Sequence, residues 1–343
     1  MSRILKSILV ITAVASIAAL IVLLRFSQFL NAPVMVPDAG VIYEIPPGTA
    51  FRRVSDDLAD KGIVDSPTFL RLYARFSGQA NRIQAGEYRI EAGTSARELL
   101  KVFVSGDVQL YSFTIVEGWT FRELVAALGN DTVIEKSIVY EDWPAVLESF
   151  ASDASHPEGL FLPQTYAFPK GTRDIDVLRQ AYDLMQETLA DEWAGRDENL
   201  PINSAYEALI LASIIEKETA LPSERPLIAG VFTRRLQQRM RLQTDPTVIY
   251  GIGVDFNGNL TRRDLRTDTP YNTYTRGGLP PTPIALPGQA AINAAVHPAS
   301  GTEVYFVATG LGDGSHKFSD TKAEHDAAVR EYLARQRAAR NQQ

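Results

Sequence analysis

From Ser7 to Leu24 the chain is uncharged and mostly apolar, with Arg3 and Lys6 ahead of the run and Arg25 closing it. As a helix rising about 1.5 Å per residue this stretch spans roughly 27 Å, close to the ~30 Å hydrocarbon core of a bilayer. Nothing amphipathic marks it as the core helix of a soluble domain. A cleaved signal peptide is the main rival, but its apolar region would run about 7–15 residues and end in a small-x-small site. Here the run is longer and Phe26-Ser27-Gln28-Phe29-Leu30 follows, so the sequence predicts an uncleaved anchor. Arg3 and Lys6 precede it, whereas after Arg25 the next basic residue is Arg52. That asymmetry predicts a cytoplasmic N-terminus, with the bulk of the chain periplasmic or extracytoplasmic. No second apolar run of that length occurs. The expectation is a single-pass protein of the inner (plasma) membrane.

The remaining length suits two modest domains, at roughly 150 residues per domain. A net charge of −7 and a pI near 5.3 leave no basic face for a phosphate backbone, so no nucleic-acid partner is expected. With no cysteine, disulfides, thiol nucleophiles and thiolate metal sites are excluded. His156, His297, His316 and His325 are too scattered for metal-ligand spacing, and the last two read as structural or surface residues. No Gly-rich phosphate loop precedes a helix, and no nucleophile elbow is present. Neither a metal nor a cofactor is expected.

The predicted organisation is a cytoplasmic start and transmembrane anchor over 1–25 and a Pro/Gly-bearing linker over 26–40. A small α/β module follows over 41–107, then a larger domain over 108–335 and a tail over 336–343. In the module, a strand at Val41–Ile45 meets the turn Pro46-Pro47-Gly48, and helices start near Thr49 and Ser66. A strand at Gly86–Ile90 and a helix from Ser95 to Val104 complete it. In the larger domain a strand from Tyr111 leads to Thr120, which caps a helix, and Ile175–Trp193 is a long amphipathic stretch.

Motifs are dense after Asn203. Ser204 can cap a helix running through Glu216-Lys217-Glu218-Thr219. At 100° per residue, Leu211, Ile214 and Ile215 share an arc that includes Glu218, while Glu216 projects to another side. Glu218 is therefore the carboxyl turned toward apolar surroundings, where desolvation raises its pKa, as a general acid requires. The competing reading is a structural ion pair between Glu218 and Arg225, Arg234, Arg235, Arg239 or Arg241 on the next helix and beyond. Further on, Asp245-Pro246 reads as a turn and Thr247–Tyr250 as a strand. Aromatic and amide side chains on the stiffened loops Pro270–Tyr274 and Gly278–Ile284 suit sugars, rings stacking on pyranose faces and amides bonding hydroxyls. Plain loop packing is the alternative.

A set of motifs in one order resembles the endolytic murein transglycosylases, the MltG or YceG-like proteins. They are Glu158-Gly-Leu-Phe-Leu-Pro-Gln-Thr-Tyr166, Glu216–Thr219, Arg241–Gly251, Tyr271–Tyr274, Gly278–Ile284, His297-Pro-Ala299, Tyr305–Val307 and Gly314–Ser319. One departure is Leu160-Phe161-Leu162, where the family is richer in tryptophan, which puts sugar contacts there in question. The resemblance implies an α+β fold: a single transmembrane helix, a LysM-like α/β module and a lysozyme-like catalytic domain with strands near 247–250 and 304–308. It makes Glu218 the catalytic acid/base of an enzyme cutting the β-1,4 bond between N-acetylmuramic acid and N-acetylglucosamine in nascent peptidoglycan, leaving 1,6-anhydro ends. Closure by the sugar's own 6-hydroxyl lets one carboxylate suffice. Glu158, Glu224, Gln243, Asp245, Tyr250, Tyr271, Asn272 and Tyr274 are candidates for substrate contact or for support of Glu218. Glycan strands and the membrane are the expected partners, with penicillin-binding synthases implied by the family alone. Two other readings stand beside it: a non-catalytic peptidoglycan-binding scaffold for synthases, and a hydrolytic muramidase on the same site.

Overall fold

The computed structural model describes residues 3–340, with burial of side chains from 4 to 338. The chain divides into two compact units. One comprises the chain through Tyr111 with Ala167–Gly171, and the other comprises Ser112–Tyr166 and the chain from Thr172 onward.

In the first unit, α1 (Arg3–Asn31) is apolar and solvent-exposed along its N-terminal length, and is long enough to cross a membrane. It outruns the predicted anchor and occupies the first part of the predicted linker. The physical reason is packing: Phe26 and Phe29 both meet Phe69 edge-on, and Leu30 is buried. Next come β1 (Val41–Ile45), α2 (Phe51–Asp60), α3 (Pro67–Phe76), β2 (Gly86–Ile90) and α4 (Ala96–Ser105). β1 and β2 pair antiparallel, with Val41 opposite Ile90 and Ile45 opposite Gly86. The pleat puts Tyr43 and Ile45 inside, and Glu44 outside. Tyr88 and Tyr43 close on Phe103 of α4, with centroids 4.9 and 5.8 Å away. Ser66 caps α3, and Ser95 forms a reciprocal capping box with Glu98 at the start of α4.

The chain continues through β3 (Leu110–Thr114), α5 (Phe121–Asn130), α6 (Trp143–Ser149), β4 (Thr165–Pro169) and α7 (Asp174–Ala194). β3 pairs with β4. Then follow α8 (Ala205–Glu218), α9 (Arg225–Gln237), α10 (Asp245–Ile252), α11 (Gln289–Val296), β5 (Tyr305–Ala308), β6 (His316–Ser319) and α12 (Lys322–Arg340). The second unit centres on α8, buried from Ala208 to Ile215, apolar there on all sides but for Ser213, and packed by α7, α9 and α11. An all-round apolar helix is a buried one. β5 and β6 form an antiparallel pair covered by α12. The predicted tail is partly helix, since α12 runs to Arg340, and 341–343 lie outside the described residues.

One predicted strand is corrected. Thr247–Tyr250 lies within helix α10. Pro246 at its start has a φ preset for helix and no N–H to lose, and Asp245 is acidic in the first turn, complementing the helix dipole. The Thr247 hydroxyl bonds back to the Thr244 carbonyl at 2.8 Å. The strand expected near 304–308 is β5.

Candidate active site

Ser204 Oγ accepts the Glu207 N–H at 3.1 Å and starts α8, which ends with Glu218; Thr219 beyond it is extended. Glu218 is thus the last helical residue, at the negative end of a helix dipole. Its Oε1 accepts a hydrogen bond from the Thr244 hydroxyl. Burial pushes its carboxyl up from 4.5 to about 7. The nearby charge of Asp245 adds to the rise, while the Thr244 bond, His316 and Arg235 pull the other way.

Four of the arginines that competed for Glu218, Arg225, Arg234, Arg235 and Arg241, are engaged elsewhere. Arg225 pairs with Glu216 at 3.1 Å and Glu117 at 3.2 Å. Arg234 bonds Glu303 and the Ala299 carbonyl, and Arg241 bonds the Tyr274 carbonyl. Arg235 donates at 2.6 Å to the carbonyls of Val304 and Leu242. Among the described residues none forms an ion pair with Glu218. The structural ion pair exists, but on Glu216, whose side chain is only 5% exposed and also accepts the Gly288 N–H at 3.0 Å. Taken as whole residues, both glutamates are half-buried at the end of α8. The helical wheel distinguished them by apolar surroundings, and the real distinction is the partner each meets.

Thr244 reaches Glu218 through an unusual backbone. Gln243 adopts φ +49°, a left-handed conformation that costs a non-glycine residue about 1–2 kcal/mol. Its N–H bonds the Thr273 carbonyl at 3.2 Å, and Thr244 N–H bonds the Thr273 hydroxyl at 3.1 Å. The Gln243 side chain itself is exposed. Asp245, also exposed, accepts the Tyr274 hydroxyl at 2.6 Å. Asn272 is fully buried, its amide nitrogen spread over the carbonyls of Asp264, Leu265 and Thr267 and its oxygen bonded by Tyr274 N–H. That amide shapes the loop presenting Tyr274 and is not turned to a ligand.

Glu224 lies on the other side of the Glu218 turn, nearly buried. Its Oε1 accepts His316 N–H at 2.8 Å, and its Oε2 meets His316 Nδ1 at 2.7 Å and the Thr219 hydroxyl at 3.4 Å. The pairing orients the ring, as in carboxylate-oriented histidines elsewhere. His316 is thereby one of the site's polar neighbours, which fits the structural arm of the structural-or-surface reading. Thr244, His316, Arg235 and Thr219 were not among the predicted site residues. Thr244 and His316 lie inside the quoted motifs Arg241–Gly251 and Gly314–Ser319, and position within those motifs was the available signal.

Glu158, Tyr250 and Tyr271 form a second neighbourhood. Glu158 is 2% exposed, accepting Phe121 N–H at 2.8 Å and the Tyr250 hydroxyl at 3.0 Å. Burial lifts its carboxyl to about 7 against both bonds. Tyr250 meets Tyr271 edge-on at 4.9 Å, and Tyr271 shares a 2.9 Å bond with Thr282. Gly159 is at φ +82°, and a Cβ there would come within 2.6 Å of Pro283. Leu160, Phe161 and Leu162 are buried, Phe161 stacking on Phe121, and Thr282 to Ile284 are buried too, with Ile284 N–H on Ser213 Oγ at 3.0 Å. These segments of the two motifs pack the core. α10 links the neighbourhoods, carrying Asp245 at its start and Tyr250 further along.

A carboxyl poised between protonated and ionised near neutrality, hydrogen-bonded to a hydroxyl and with no cation paired to it, can both give a proton and take one back. With that geometry on a buried helix of an α+β fold, the wider comparisons become informative. The YceG-like family model matches residues 43–331, and the chain belongs to that family. The endolytic murein transglycosylase of Bacillus subtilis is 28% identical over 307 residues, covering 84% of each chain. Its namesake from Streptococcus pneumoniae is 27% identical over 324 residues, 84% of this chain and 58% of the relative. The crystal structure of a YceG-like protein from Listeria monocytogenes superposes with a TM-score of 0.53 at 27% identity, covering 85% of this chain and 99% of that one.

Proposed function

We propose that the chain is an endolytic lytic transglycosylase that cuts nascent peptidoglycan strands at the β-1,4 bond between N-acetylmuramic acid and N-acetylglucosamine, limiting strand length. The observation that carries this is Glu218, an unpaired acid raised to about 7, in a family whose relatives bear that name. In the first half of the reaction Glu218 gives its proton to the departing glycosidic oxygen. In the second, the resulting carboxylate accepts the proton of the muramic 6-hydroxyl as that oxygen closes on C1, giving a 1,6-anhydro end. Protons balance, and no water is consumed. The negative charge of Asp245, steadied by Tyr274, favours the cationic sugar between the two halves.

One observation favours a hydrolytic muramidase as the second reading: Asp245 is a second carboxylate beside Glu218, as two-carboxylate hydrolysis requires. Mass spectrometry of glycan fragments separates the two. Anhydro ends are expected, and exclusively reducing ends overturn the transglycosylase. A non-catalytic scaffold for wall synthases predicts instead that Glu218→Gln keeps cellular function.

The strand–helix–helix–strand order and antiparallel pairing of β1 to β2 support a LysM-like, glycan-binding role for the first unit. A buried helix ending in the acid supports a lysozyme-like reading of the second. Helix α1 supports a single span with the enzyme outside the cytoplasm. Release of the intact chain into a soluble periplasmic fraction would overturn that anchor.

A further inference from the structure

The junction between α1 and the first unit takes no part in this chemistry, and it is built with care. Phe26 and Phe29, on the last turns of α1, hold Phe69 of α3 at centroid distances of 5.5 and 5.8 Å. Leu30 is buried, and the chain beyond is tied by Val34 N–H to the Thr94 carbonyl at 2.7 Å and Met35 N–H to the Ile63 carbonyl at 2.9 Å. The apolar helix is therefore docked on its module and not tethered to it.

On α3, Leu70 and Ala74 form the buried face. Phe69, Leu72 and Phe76 stand at i, i+3 and i+7, a second apolar stripe on a different face. The Phe69 end is covered by α1, whereas Leu72 is 39% exposed and Phe76 80%. An exposed phenylalanine is unremarkable alone. Here it prolongs a stripe that begins at the membrane helix itself, and the exposed Arg75 adjoins it as Arg25 adjoins Phe26.

We propose that the Phe69–Leu72–Phe76 stripe seats in the headgroup–acyl boundary of the bilayer that α1 crosses, the partner being an anionic lipid surface. This rests on the reading of α1 as a membrane span. With Ser7–Leu24 filling about 27 Å of hydrocarbon, Phe26 and Phe29 fall in the next several ångströms, at headgroup depth. Whatever packs on them is held at that depth, where aromatic side chains and cationic side chains are favoured. Leu72 and Phe76 then leave water without needing a protein partner, and Arg75 meets lipid phosphate.

The chain has no cysteine, so a single introduced thiol reports one position. Full-length Phe76→Cys, carrying an environment-sensitive fluorophore, is reconstituted in vesicles of phosphatidylglycerol and phosphatidylcholine. Asp60→Cys on α2 serves as reference and Leu72→Cys as the second stripe probe. Blue-shifted emission at 76 and 72 is expected, with quenching by lipids spin-labelled near the headgroup several-fold stronger than at 60. Water-like, unquenched emission at both positions, on protein that floats with the vesicles, overturns the proposal and leaves the anchor intact. Protein that does not float overturns the anchor reading first. Efficient disulfide dimerisation through position 76 with no lipid quenching assigns the stripe to a second copy and overturns the lipid partner.

Discussion

Two regions flank the last turn of α8, and they answer the burial of the same side chain with different partners. Around Glu216, burial raises the carboxyl, and the backbone N–H of Gly288 and the guanidinium of Arg225 offset part of that rise. Around Glu218, burial comes with a hydroxyl and a neighbouring negative charge, and the pKa reaches about 7. The difference teaches that burial alone does not make an acid catalyst. Desolvation must be left without a cation to answer it, so that the proton stays available.

The comparison breaks most directly at Glu218. Glu218→Gln is expected to lower strand cleavage by about 10⁴-fold, roughly 5 kcal/mol of transition-state stabilisation, while Glu216→Gln retains most of the turnover of whatever fraction folds. Timed digestion of isolated glycan strands measures both. The linkage has a definite sign. Because the folded-state pKa lies above the unfolded value of 4.5, the stability associated with the protonated carboxyl is fully present below 4.5 and is lost as pH rises through about 7. Glu218→Gln should therefore melt above the parent at pH 8, by at most roughly 3 kcal/mol, with the gap closing toward pH 4. Equal melting at every pH would show that Glu218 ionises freely in the fold.

On the other side, Arg225→Ala leaves Glu216 buried without its cation. A loss of about 3 kcal/mol in denaturant unfolding is expected, and Arg225→Ala with Glu216→Gln should recover part of it. A near-neutral single variant would mean that water reaches Glu216 and that its burial is only apparent.

How much of this was readable beforehand follows from what each feature depends on. Helix α8, its Ser204 cap and the position of Glu218 depend on local periodicity and were legible. So was α1, except that its last turns depend on Phe69, a contact that no reading of residues 26–31 contains. Thr247–Tyr250 is four residues of β-branched and aromatic type, and such a run is ambiguous without the packing that makes it part of α10. The helical wheel separated Glu216 from Glu218 by face, but the partners that make the physical difference lie outside the helix. That difference is made by Arg225 from the next helix, by Thr244 at 26 residues from Glu218 and by His316 at 92 residues from Glu224. The buried amide of Asn272 was visible as an amide, and its commitment to three carbonyls was not.

Thr244→Val sharpens the comparison by removing the hydroxyl that favours the ionised form of Glu218. The alkaline limb of the rate profile, set by loss of the Glu218 proton, should move up by about one pH unit. Cleavage at pH 6 should change less than cleavage at pH 8. A downward shift would mean that Thr244 accepts from a protonated Glu218 in the working enzyme.

The smallest effect is expected at His316, where structure and electrostatics have to be separated. The imidazole is fixed by Glu224 and lies edge-on to Phe306 at 5.5 Å, so a loss of activity could come from loosened packing alone. His316→Gln keeps a donor for Glu224 and removes the ring that lowers the Glu218 pKa. A positioning and charge-tuning role predicts an alkaline limb shifted upward by a few tenths of a pH unit, kcat reduced by less than about tenfold and KM nearly unchanged. Glu224→Gln, which weakens the hold on both His316 and the Thr219 hydroxyl, should shift the limb in the same direction and lower kcat further, since it also frees the residue next to the acid. If both variants lower stability and leave the pH profile in place, the pair only braces β6 against the end of α8, and the charge environment of Glu218 reduces to Thr244, Asp245 and Arg235.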